Sequence, residues 1–107
     1  MTTPPDDAEV VDATGESRFV IRGADGHEAE LIYQIDGDRI ELIHTGVPEA
    51  WSGRGIGGRL VRSALQRARS EHLTVVPWCP FAVRWLRDHP DEAAGLVIDW
   101  GAPPPSR

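Results

Sequence analysis

Four glycines fall within the six residues Gly53-Arg54-Gly55-Ile56-Gly57-Gly58, and an amphipathic helical pattern begins inside the same window. Glycine lets a backbone approach another group closely and adopt dihedrals that other residues avoid. A helix N-terminus presents unpaired N–H donors and a partial positive charge. Together these features make a seat for a phosphate or pyrophosphate. The rest of the chain decides which ligand carries it.

At 107 residues there is room for one small domain with one core. With 40% apolar and 26% charged residues, the composition is that of a globular protein. No apolar run approaches the ~18 residues of a membrane helix. The N-terminus is acidic and polar, unlike a signal peptide. A single cysteine forms no internal disulfide, and no Cys/His cluster has zinc spacing, so no metal is expected. The expected compartment is the cytoplasm. A net charge of −6 argues against a nucleic-acid partner, which rewards clustered positive charge. The expected assembly is a monomer or weak dimer.

Residues 1–15 are rich in Pro, Asp, Thr and Ala and read as a disordered leader. Residues 102–107 read as a tail, which leaves a domain over 16–101. Within it, Ser17–Arg22, Glu28–Ile35 and Arg39–Thr45 alternate as strands. Turn signals lie between them at Gly23–Gly26 and Asp36–Asp38. The period then changes. Ile56, Leu60, Val61, Ala64, Leu65 and Ala68 predict a helix of about four turns. Thr74–Val76 predicts a short buried strand, Pro80 opens a second helix and Pro90 ends it. Leu96–Trp100 is a candidate last strand. Two strands flanking a helix are expected to be parallel neighbours in a mixed sheet.

A P-loop requires Gly-Lys-Ser/Thr, whereas this chain has Gly57-Gly58-Arg59. Gly53 to Gly58 does satisfy the dinucleotide pattern G-x-G-x-x-G. That motif belongs in a tight turn directly after its strand. Here Gly46–Ser52 intervene, and no acid follows the next strand to meet a ribose.

Three ordered motifs remain: His44-Thr45-Gly46-Val47-Pro48 before the glycine loop, Pro77-Trp78-Cys79-Pro80-Phe81 after the helix, and His89-Pro90. With Ser52-Gly53-Arg54-Gly55-Ile56-Gly57 as the pyrophosphate loop, the chain resembles the GNAT acetyltransferases, in particular their short single-domain members. Serine stands where the family loop usually carries Gln or Arg. The resemblance spans roughly Phe19 to Asp91.

It implies a small α/β GNAT-like domain, a mixed sheet with two main helices, that transfers acetyl from acetyl-CoA to an amine of unknown identity. The pantetheine arm would pair with the strand ending at Thr45, passing Val47, with Gly46 permitting a bulge that frees its donors. The pyrophosphate would meet the N–H groups of Arg54, Gly55, Ile56, Gly57 and Gly58, with Arg54 and Arg59 adding charge. A branched residue at Gly55 or Gly57 would occupy the phosphate's place.

The family places Cys79 near the acetyl group, and its position before Pro80 makes it a helix N-cap, where the dipole favours thiolate. His44 is a candidate base, and Glu41 or Glu49 would act through water. Trp51, Trp78 and Trp85 read as core residues. A different class stays open: an acyl-CoA-binding sensor or accessory protein without turnover.

Overall fold

The computed structural model describes residues 9–24 and 26–100. Most of the expected leader, residues 1–8, and the tail lie outside them. Five strands form one sheet in the order β1 (Val11–Ala13), β2 (Arg18–Arg22), β3 (Glu28–Asp36), β4 (Arg39–Gly46) and β5 (Thr74–Pro77). The first four are antiparallel, and β5 is parallel to β4. The connection from β4 to β5 runs through α1 (Ile56–Glu71), and α2 (Pro80–Asp88) follows β5.

Alternation carries the sheet. Phe19, Ile21, Ala29, Leu31, Tyr33, Ile40, Leu42 and Val75 are buried on one face, under α1. The helix returns Ile56, Leu60, Val61, Ala64, Leu65 and Ala68 to that core, as its period predicts. Its opposite face, with Arg62, Gln66 and Arg69, is exposed.

Three expectations are corrected. Val11–Ala13, expected within the leader, pairs with Arg18–Val20. A three-residue strand is too short to show alternation, and distant side chains hold it. The Tyr33 hydroxyl donates to Asp12 Oδ1 at 2.6 Å, and Arg67 donates to Asp12 Oδ2 at 2.9 Å. The last strand shrinks to one parallel bridge, Val75 to Ile98, steadied by an Arg39–Asp99 ion pair of 2.6 Å.

The bulge lies at Ile43, not at Gly46. Ile32 pairs with His44 and Tyr33 with Leu42, so Ile43 is the extra residue. Side chains alternate with period 2, so Leu42 and Thr45 would otherwise point to opposite faces. The inserted residue restores parity and turns Thr45 onto the helix side with Leu42. Glu41 and His44 face the other side of the sheet.

β4 and β5 pair only as far as Leu42 and Pro77. Leu42 O then accepts both Trp78 N–H and Cys79 N–H, at 3.0 Å each. Beyond that point β5 gives way to α2, while β4 continues to Gly46 with no strand on that side among the described residues. The two parallel strands therefore split.

Candidate active-site cleft at the strand split

The glycine loop opens onto this split. Gly53 and Gly55 have φ of +76° and +74°, left-handed values that favour glycine. Gly55 is the N-cap of α1, and no side chain caps the helix. The helical ladder begins with Arg59 N–H to Gly55 O at 3.1 Å. The N–H groups of Ile56, Gly57 and Gly58 precede it and are the free donors of the first turn.

At Gly57 and Gly58 the missing Cβ also serves packing. A Cβ on Gly57 would come 2.6 Å from Phe81 Cζ, and one on Gly58 would come 2.5 Å from Trp85 Nε1. These two glycines let the aromatic side of α2 lie directly on the first turn of α1. Around Gly53 and Gly55 nothing would meet a Cβ within 4 Å, so their constraint is φ alone.

A cleft of about 450 Å³ results. Its floor is Gly55, Ile56, Gly57 and Gly58, and one wall is Thr45 and Val47. Trp51, Ser52 and Gly53 close one end, and Phe81 and Trp85 come from α2. The expected residues Thr45, Val47, Gly55, Ile56, Gly57 and Gly58 are thus brought together. Arg54 and Arg59 are not among the lining residues, although both make contacts elsewhere.

Phe81 is a wall that the sequence pattern does not show, and Trp51 and Trp85, expected in the core, line the cleft as well. Two adjacent glycines inside a helical turn were the available signal, because such a pair leaves room for a partner. Trp51 is fully buried, yet its indole Nε1 has no hydrogen-bond partner among the described residues. A buried unpaired N–H costs about 1–3 kcal/mol.

Cys79, the N-cap of α2, is buried and is not among the lining residues; it meets the cleft through Thr45. Its Sγ lies 3.4 Å from Thr45 Oγ1, across the split. Burial pushes the thiol pKa up. The Thr45 hydroxyl, the backbone N–H groups of Ala82 and Phe81, and that of Thr45 outweigh burial and hold it below the ordinary value. No cap hydrogen bond of ordinary geometry forms, so the helix N–H groups act on the sulfur as dipoles.

The base candidates occupy the other face of the sheet. Glu41 Oε1 accepts the Trp78 indole N–H at 2.8 Å, fixing both groups beside the point where the strands part. His44 is exposed on the same face, and Glu49 is exposed in the turn after β4. Trp78 is 52% exposed and is not a core residue. Proline at 77 and 80 and the hydrogen bond to Glu41 hold it outward. His89 ends α2 as expected, stacking on Trp85 at 4.3 Å.

A mixed sheet split between parallel neighbours, with an uncapped glycine-rich helix start beside the split, defines a GNAT-type α/β fold. A family model described as "GCN5-related N-acetyl-transferase" matches residues 18–96. The chain belongs to the GCN5-related N-acetyltransferase family. It is 35% identical over 75 residues to Protein NATD1 of Gallus gallus, covering 68% of each chain. The same identity and coverage hold for Protein NATD1 of Mus musculus. The solution structure of a GCN5-like putative N-acetyltransferase from Staphylococcus aureus is similar with a TM-score of 0.67. It is 26% identical, and the match covers 89% of this chain and 93% of that one.

A CoA-type ligand fits the residues present. The open first turn of α1 offers N–H donors to a pyrophosphate, the unpaired β4 edge offers backbone groups to an extended amide-bearing arm, and Trp51 has an N–H to give. Among the described residues no group of three or more metal-ligating side chains is found, and no helix is long and apolar enough to cross a membrane.

Proposed function

We propose that the protein is an acetyl-CoA-dependent N-acetyltransferase acting by direct attack of an amine. The carrying observation is the strand split itself, with the uncapped start of α1 at one end and the Thr45–Cys79 contact at the other. The N–H groups of Ile56, Gly57 and Gly58 hold the pyrophosphate, and Arg54 and Arg59 add long-range positive charge. The β4 edge beyond Leu42 takes the pantetheine arm as an added strand.

Bound acetyl-CoA supplies a thioester carbonyl. A neutral amine forms a C–N bond to that carbon, the C–S bond breaks, and the sulfur leaves as CoA thiol. One proton of the original ammonium goes to the base and one to the leaving sulfur. On this chain, backbone N–H groups near the end of β4 stabilise the developing oxyanion. Glu41 or His44, on the sheet face away from the helices, takes the ammonium proton directly or through water. Cys79 gives a proton to the leaving sulfur, a role supported by its contact with Thr45 across the split. A thiol held below its ordinary pKa is a better proton donor than an ordinary cysteine.

The test is thiol release from acetyl-CoA over a panel of primary amines. Amine-dependent release with an acetylated amine as product is expected. Tight CoA binding with no release from any amine would leave a sensor or accessory protein in its place.

A further inference from the structure

The two ends of the split face different surroundings. The glycine cleft lies on the helix side of the sheet, whereas Glu41, Ile43 and His44 lie on the opposite face. Trp78 reaches that opposite face through its hydrogen bond to Glu41. It also forms one wall of a second groove, of about 420 Å³, along the outward side of α2. Pro80 and Val83 extend the apolar wall, and Arg84, Arg87 and Asp88 are its charged groups.

Charge there runs against the molecule as a whole. The chain has a net charge of −6, but the groove holds two arginines against one aspartate. Arg84 makes no ion pair or hydrogen bond among the described residues. The Arg87 guanidinium lies over the Trp100 ring, 5.4 Å from its centroid. Helical side chains lean toward the helix N-terminus, so Arg84 and Arg87 are carried toward Trp78. The Trp78 backbone N–H donates to Leu42 O, where the strands part, and its indole N–H donates to Glu41. A molecule lying on the indole is therefore beside Glu41, at the split.

We propose that this groove binds the acceptor, and that the acceptor is an apolar amino acid. Its carboxylate pairs with Arg84 and Arg87, its side chain lies on Trp78, Pro80 and Val83, and its amine turns to Glu41 and the split. The inference rests on the acetyl-transfer reading for the role of the bound molecule. It rests on the groove alone for the chemistry that is bound. Asp88, at the same wall, disfavours a second carboxylate and so excludes acidic side chains.

The test uses N-acetyl-L-phenylalanine and its carboxamide as non-reacting probes, followed by the Trp78 indole N–H resonance in the full chain. Trp78→Phe assigns the signal. The acid is expected to shift it, with the amide at least 10-fold weaker. The double variant R84E/R87E, on an exposed surface, is expected to lose the acid by a similar factor. CoA affinity should stay within about 2-fold, which shows that the variant is folded. In turnover, KM for phenylalanine should rise in the variant while KM for acetyl-CoA does not. Acid binding that is lost on charge reversal supports the groove whether or not thiol is released, so a failed turnover assay strikes only the transfer reading. Equal binding of acid and amide, or of wild type and R84E/R87E, overturns the proposal.

Discussion

At the residue scale, Cys79 separates two mechanisms. Direct transfer asks of it only a proton, so Cys79→Ala should lose about 10–100-fold in turnover. A covalent route would lose transfer altogether and leave acetyl on the wild-type cysteine when no acceptor is present. The sequence contains no lysine, so no side-chain amine competes for the acetyl group, and the Cys79→Ala control in intact-protein mass spectrometry identifies an adduct on the thiol. Absence of a Cys79-dependent adduct is expected. Trp51 is a second residue-scale case. Trp51→Phe keeps the buried ring but removes the unpaired N–H. CoA should bind about 2–10-fold more weakly, the worth of one hydrogen bond, while the apo protein is no less stable. Unchanged CoA affinity would remove Trp51 from the ligand's partners. The sequence could place Cys79 as an N-cap because Pro80 marks the helix start. It could not show the orphan indole, which depends on what the chain folds around it.

At the element scale, the glycines divide by the element each serves. Gly55→Ala should cost about 1–2 kcal/mol through its left-handed φ. Gly58→Ala should cost about 1–3 kcal/mol through collision with the buried Trp85, and Gly57→Ala less, because the exposed Phe81 ring can swing aside. Adding Phe81→Ala to Gly57→Ala should recover part of the loss, whereas adding it to Gly55→Ala should not. Denaturant midpoints of the single and double variants check this, and additive losses at 57 and 81 would contradict the packing. Both helices and strands β2 to β5 were legible, because period and turn residues agree locally. The bulge at Ile43 was not. It answers a parity requirement between Leu42 and Thr45 that only the paired β3 imposes. Nor was β1, whose three residues are fixed by Tyr33 and Arg67 from elsewhere in the chain.

At the scale of the whole molecule, Tyr33 ties β1, β3 and α1 together. Its hydroxyl also accepts a hydrogen bond from Arg67 at 2.6 Å. Burial, then the Asp12 carboxylate, push its pKa up to about 12, against the opposing effect of Arg67. An unfolded tyrosine ionises near pH 10. Between these values the unfolded chain releases a proton that the folded chain keeps, so stability falls as pH rises, by at most ~3 kcal/mol. Tyr33 is the only tyrosine and no lysine titrates in that window. Tyr33→Phe should therefore flatten the fall between pH 10 and 12, as read from denaturant unfolding. An equal fall in the variant would place its origin elsewhere.

The same global arrangement sets the cleft, since β4, β5, α1 and α2 must all be in place before the split exists. Titration of the labelled protein with CoA, followed through backbone amide resonances, addresses that arrangement most directly. The amides of Ile56, Gly57 and Gly58 and the β4 edge from Ile43 to Thr45 should shift most, with NADH binding far more weakly. Shifts elsewhere with these amides unmoved, or a preference for NADH, would contradict a CoA site at the strand split.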